Sequence, residues 1–164
     1  MSIAPTLNDY EQKLIANVRE YGCQVVSVFD PEGTSPPFSY SVGFWETAGQ
    51  PEAIIFGLNG QMGHYALTET LQQCRAGLAL RDGQRLEGLL EEYDVTCVVR
   101  TVDNRHLVPE YFNSALWYHR YRTSAALAAA VQLIWPDEGV WPWDPEASAE
   151  FLVEQPALYS GKLH

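Results

Sequence analysis

Near the start of the chain the apolar positions Leu7, Tyr10, Leu14, Val18 and Tyr21 recur at three- and four-residue steps, which places them on one face of a helix. Asn8 and Glu11 have the spacing of a capping box, and Gly22 supplies a left-handed stop. The period then shortens to two. Cys23 to Phe29, with Val25, Val26 and Val28, reads as a strand closed by the turn residues Asp30-Pro31-Glu32-Gly33. From Phe38 the alternation is sharper: Phe38, Tyr40, Val42 and Phe44 fall on a bulky face, Ser39, Ser41 and Gly43 on a nearly bare one. A bare face lets a packed helix or a ligand come close, because there is little side chain to displace. Glu52 to Leu58 is a continuous apolar run suited to a central strand, so these three strands are expected to form a meander.

The second half is less regular. Leu67, Leu71 and Cys74 predict a second helix from about His64 to Ala76, entered through Asn59-Gly60 and Gly63 and stopped at Gly77. Residues 78–80 and 84–90 flank Asp82-Gly83 and suggest a hairpin. Asp94 to Val102 predicts a strand buried on both sides. Pro109 suits the first position of a third helix running to about Arg122, with aromatic stripes through Tyr111, Ala115, Tyr118 and Phe112, Leu116, His119. Ser124 to Ala130 has helical composition and Val131 to Trp135 strand composition. Trp135-Pro136-Asp137-Glu138-Gly139 is a turn, Trp141 to Pro145 is expected to be extended because of its prolines, and Glu146 to Glu154 reads as a closing helix.

The order of elements does not alternate as a doubly wound fold would. It implies one α+β domain over 1–164: a mostly antiparallel sheet of five to seven strands, capable of curling toward a barrel, covered by about three helices. A chain of 164 residues buries roughly 70% of its unfolded surface without a metal or disulfide staple.

Charge narrows the partners. Ten basic and twenty-one acidic side chains give a formal net charge of −11, the wrong sign for counterion release from a phosphate backbone, so nucleic acid is not an expected partner. No long apolar run predicts a membrane span, and no secretory leader pattern opens the chain. Cys23, Cys74 and Cys97 are three, widely spaced and outside any C-x-x-C pair, which fits small hydrophobes in a reducing cytoplasm.

Common signatures of catalytic serine, zinc peptidase, P-loop and dinucleotide sites do not occur. Four weaker features do. A basic island of Arg100, Arg105, His106, His119, Arg120 and Arg122 holds four of the eight arginines; it would suit a small anion if it converged, or it serves the helix dipole and acidic neighbours. Gly60-Gln61-Met62-Gly63-His64 opens a helix where an anion could sit, or it simply turns the chain. Trp135, Trp141 and Trp143 among prolines could wall a pocket, face a partner or cap the sheet; Asp137 and Asp144 beside them are the paired-carboxylate option. His64, His106, His119 and His164 lack metal-ligand spacing, and no metal is expected.

With these residues laid out, Pro36-Pro37-Phe38-Ser39-Tyr40-Ser41-Val42-Gly43-Phe44, Pro51-Glu52-Ala53-Ile54-Ile55-Phe56-Gly57-Leu58, Gln132-Leu133-Ile134-Trp135-Pro136-Asp137 and Trp141-Pro142-Trp143-Asp144 resemble the bacterial domain of unknown function 4262 family over roughly residues 10–155. Cys23 departs from it, since the family often carries tryptophan there. The resemblance implies a bacterial, cytoplasmic, single-domain protein and brings no activity, cofactor or catalytic residue with it.

Two functions remain. One is a pocket for a small anionic or aromatic ligand between the bare Ser39, Ser41, Gly43 face and the aromatic third helix. Arg100, His119 and Arg122 would hold the anion, Trp135 and Trp143 would add aromatic wall, and Tyr40, Tyr118 or His119 would transfer protons if the protein is an enzyme. The other is an acidic module that binds a basic protein, such as an inhibitor or immunity protein for a toxin or nuclease, through the carboxylates of Glu87 to Asp94 and Asp137 to Glu154.

Overall fold

The computed structural model describes residues 6–90 and 92–161. Helix α1 (Asp9–Tyr21) starts with the reciprocal Asn8–Glu11 capping box and stops at Gly22, whose φ of 92° is the left-handed conformation glycine adopts most readily. Strands β1 (Gln24–Val28), β2 (Phe38–Val42) and β3 (Glu52–Phe56) form the expected antiparallel meander, with Tyr40 opposite both Val26 and Ile54. β4 (Arg85–Glu87), β5 (Thr96–Thr101) and β6 (Ala130–Ile134) form a second antiparallel set. The two sets join through their last strands: β3 and β6 run parallel, with Glu52 opposite Ala130 and Ile55 opposite Leu133. The order β1-β2-β3-β6-β5-β4 is therefore antiparallel except at one central seam.

Helix α3 (Gly60–Arg75) covers one face of this sheet, and α1 and α4 (Pro109–Thr123) cover the other. Alternation along each strand divides the core accordingly. Ala53 and Ile55 point into the α3 side with Leu67, Leu71 and Leu133; Ile54 and Phe56 point into the other side with Tyr40, Phe112 and Leu158. Ile54 and Ile55 are fully buried, and each such side chain contributes about 1.5–3 kcal/mol of transfer free energy. The bare face of β2 has a packing explanation. Gly63 of α3 lies against Ser39, where an added Cβ would come 2.8 Å from the serine Cβ, so helix and strand approach as only small residues allow.

The α+β class and mostly antiparallel six-stranded sheet follow the sequence expectation, and the sheet is open, with β1 and β4 as edges rather than closing into a barrel. Local readings needed correction. Phe44 leaves the strand: Gly43 takes φ 105° and turns the chain into the short helix α2 (Phe44–Ala48). The expected hairpin around Asp82-Gly83 is not a strand pair, because only Arg85–Glu87 joins the sheet, and it pairs forward with β5. Residues 125–129 are not helical; Ser124 ends α4 in the left-handed region at φ 62°. Trp141 to Asp144 forms a turn, with Asp144 N–H donating to Trp141 O at 3.0 Å. Its central residues are Pro142 and Trp143, so the conformational limit on residues preceding proline is respected without an extended segment. The closing helix α5 is shorter than expected (Ala149–Glu154).

After α5 the chain returns across the sheet as a strap. Gln132 donates to Pro156 O and accepts from Leu158 N–H, while Gln155 donates to Trp135 O and accepts from Trp135 N–H. Both glutamines are almost wholly buried, and these bonds satisfy amides that would otherwise be costly to bury. No helix among the described residues is long and apolar enough to cross a membrane.

A candidate site at the start of the central seam

Both seam strands begin at the same end of the sheet, and a cleft opens there between α2 and α4. Its polar half, about 330 Å³, is lined by Gly43, Trp45, Glu46, Glu52, Tyr118 and His119, with Arg122 and Thr123 beside them. An adjoining half of about 290 Å³ shares Trp45, Glu52, His119 and Thr123, then continues over Pro51, Leu127 and the alanines at 125, 128 and 129. One cleft thus has a titratable end and a nearly apolar end.

Glu52 lies at the floor. Its carboxylate accepts hydrogen bonds from Ser41 Oγ (2.7 Å), Gly43 N–H (2.9 Å) and Phe44 N–H (3.0 Å). Ser41 Oγ in turn accepts from Ala53 N–H, so the network fastens the end of β2, the start of β3 and the entry to α2. No cation pairs with this carboxylate among the described residues. Burial raises its pKa to about 7, against the opposing pull of those hydrogen bonds. A group at that pKa exchanges its proton at neutral pH, as a general acid or base must.

The wall is α4. Tyr118 donates its hydroxyl to Glu46 Oε2 at 3.2 Å, and Arg122 Nε donates to the same oxygen at 2.7 Å. Burial, followed by the Glu46 charge, pushes the Tyr118 pKa up to about 12, so this hydroxyl stays protonated at neutral pH with its proton directed at Glu46. Burial lowers the pKa of His119, whose ring meets the Trp45 indole edge-on at 6.4 Å between centroids. Neutral imidazole can both give and accept hydrogen bonds there.

Gly43, Tyr118, His119 and Arg122 therefore come together, but the remaining candidates do not. The bare strand face and the aromatic third helix lie on opposite sides of the sheet, so the pocket expected between them is not formed: Ser39 faces α3, and Ser41 is taken up by Glu52. Tyr40 does face α4, but it is buried and its hydroxyl accepts from Ser114 N–H at 2.9 Å, next to the bend in α4 at Phe112. The basic island also splits. Arg100 is buried elsewhere, bonded to Asp82 and Ser160 O and set 4.4 Å above the Tyr159 ring and 5.5 Å from the Trp143 ring. Trp143 stacks on Trp141 at 5.3 Å, while Trp135 sits at the opposite end of the seam, its indole N–H bonded to Phe56 O. Arg105 pairs with Asp103. His164 lies outside the described residues, and no group of three or more candidate metal ligands gathers among those described. Burial pushes the thiols of Cys23, Cys74 and Cys97 up to about 11, 11 and 12, away from nucleophilic reactivity.

Trp45, Glu46 and Glu52 were missed by sequence reasoning. Glu52 had left a signal, a carboxylate opening an otherwise apolar buried strand. Trp45 and Glu46 had left none, because their positions depend on α2, which the strand pattern concealed.

A family model described as "Domain of unknown function (DUF4262)" matches residues 17–148, most of the chain, and the chain belongs to that family. No curated protein and no solved structure matches it.

Proposed function

We propose that this member of the domain of unknown function (DUF4262) family binds a small aromatic ligand with a hydrogen-bonding head in the cleft between α2 and α4, and that Glu52 and His119 handle the head's proton. The observation that carries the reading is the division of one cleft into a titratable end and an apolar end, an arrangement that fixes a ligand's orientation as well as its affinity. Of the two ligand classes expected from sequence, anionic and aromatic, the lining of the cleft favours the second. Arg100 is absent from the cleft and Arg122 is already paired with Glu46, so an uncharged aromatic head fits better than an anion.

The test uses 4-ethylphenol, benzamide and benzoate with the full chain, followed by nuclear magnetic resonance of the Trp45 indole and His119 ring. The phenol and amide are expected to shift both resonances, and benzoate to bind more weakly at pH 8 than at pH 6, as Glu52 gains charge. Trp45 is 53% exposed, so Trp45→Ala should leave the fold intact while weakening binding about tenfold, the value of one good aromatic contact. Cleft resonances unmoved by all three probes, or benzoate as the tightest ligand at pH 8, would refute the reading.

A further inference from the structure

The opposite end of the seam has a different character. Beyond the last residues of β3 and β6 lies a cavity of about 640 Å³ floored by Leu58, Met62, Leu90 and Trp135. It shares Asn59, Met62 and Leu90 with a neighbouring depression toward His64 and Tyr65, and Gly57 and Glu154 with another toward Phe29 and Val153. Through these shared residues the three adjoin as a groove at the end of the sheet.

Its charge has one sign. Asp137, Glu138 and Glu154 line the centre, Asp30 and Glu150 one arm and Glu92 the other, while no lysine or arginine among the described residues lines any part. The central three side chains make no hydrogen bond or ion pair among the described residues. Burial, and after it the nearby charge of Asp137, raises the pKa of Glu154.

Exposed apolar side chains lie along the same path: Phe29 is 72% exposed, Val153 64% and Tyr93 56%. Scattered singly such residues are ordinary, but grouped in one groove with a polar rim they mark an interaction surface. The sign of the rim selects the occupant. A second copy of this chain, at net charge −11, would bring like charge against like, and nucleic acid would do the same.

We propose that this groove docks an extended basic segment of a partner protein, whose lysine or arginine side chains meet the carboxylates while intervening apolar side chains meet Phe29, Val153 and the Trp135 floor. The proposal is independent of the ligand reading of the α2–α4 cleft.

The probes are a short peptide alternating lysine with leucine, its glutamate–leucine counterpart, and hexylamine, titrated calorimetrically into the full chain. The lysine peptide is expected to bind at least about tenfold tighter than the glutamate peptide, and to lose about tenfold in affinity between low and physiological salt as exposed charges are screened. Phe29→Ser and Glu154→Gln, both at exposed positions, should each weaken it about threefold or more, while Trp45→Ala in the cleft leaves it unchanged. Equal binding of the two peptides, indifference to both groove variants or the absence of binding overturns the proposal. Hexylamine binding as tightly as the peptide does so too, because it would assign the cavity to a small amine rather than a protein segment.

Discussion

The two ends of the β3–β6 seam handle carboxylates in opposite ways. At the entry end Glu52 is 2% exposed and is held by two backbone N–H groups and a serine hydroxyl, while nearby Glu46 is shared by Tyr118 and Arg122. At the exit end Asp137, Glu138 and Glu154 face water with no partner among the described residues. Burial makes the first kind of acid expensive to charge and expensive to remove; exposure makes the second kind cheap in both respects. Position along one pair of strands thus separates a buried, hydrogen-bonded acid from exposed acids without partners among the described residues.

Removing Glu52 should break the comparison most severely. Glu52→Ala leaves Gly43 N–H, Phe44 N–H and Ser41 without their acceptor, and stability in urea is expected to fall by about 3 kcal/mol. Glu52→Gln, which keeps one acceptor oxygen, should lose clearly less; equal losses would show that volume rather than hydrogen bonding matters.

The pH dependence comes next in size. The folded pKa of Glu52 is raised from 4.5 to about 7, so the folded state binds the proton more tightly than the unfolded state. The resulting stability is full below about pH 4.5 and is lost as pH rises through about 7, a change of about 3 kcal/mol at most. Comparing wild type with Glu52→Gln across that window isolates it: the wild-type advantage should shrink steadily as pH rises and level off near pH 8.

The smallest effect belongs to the exit end. Glu154→Gln is expected to change stability by less than about 0.5 kcal/mol, with relief of repulsion from Asp137 favouring the variant. A loss above about 1 kcal/mol would mean that Glu154 has a structural partner and that both ends of the seam build their acids into the fold.

What was legible in the sequence follows the range of the interactions involved. Asn8, Glu11 and Gly22 act within one turn of each other, and α1 came out within two residues. The alternation of Phe38 to Val42 gave β2 and its bare face, and even the close helix that the face accommodates. The errors arose where a distant contact decides. Arg85–Glu87 is a strand because β5 is beside it, and Phe44 is helical because Gly43 takes a positive φ that lets its N–H and that of Phe44 reach Glu52. The candidate site was legible by half. Tyr118, His119 and Arg122 share a helix face and so stayed together, whereas grouping Arg100 with them assumed a convergence that the sheet prevents by placing it beside Tyr159 and Trp143.

The single parallel seam also bears on how the chain reaches this shape. β1, β2 and β3 can zip together through short connections, but Glu52 and Ala130 lie almost half the chain apart, and β5, α4 and the rest of the second set must be carried along before they meet. Closing so long a loop costs entropy that no local contact refunds, and such pairings slow the search for the native topology. Both described cavities are walled by residues flanking that one pair of strands, so neither exists until the most remote contact in the sheet has formed.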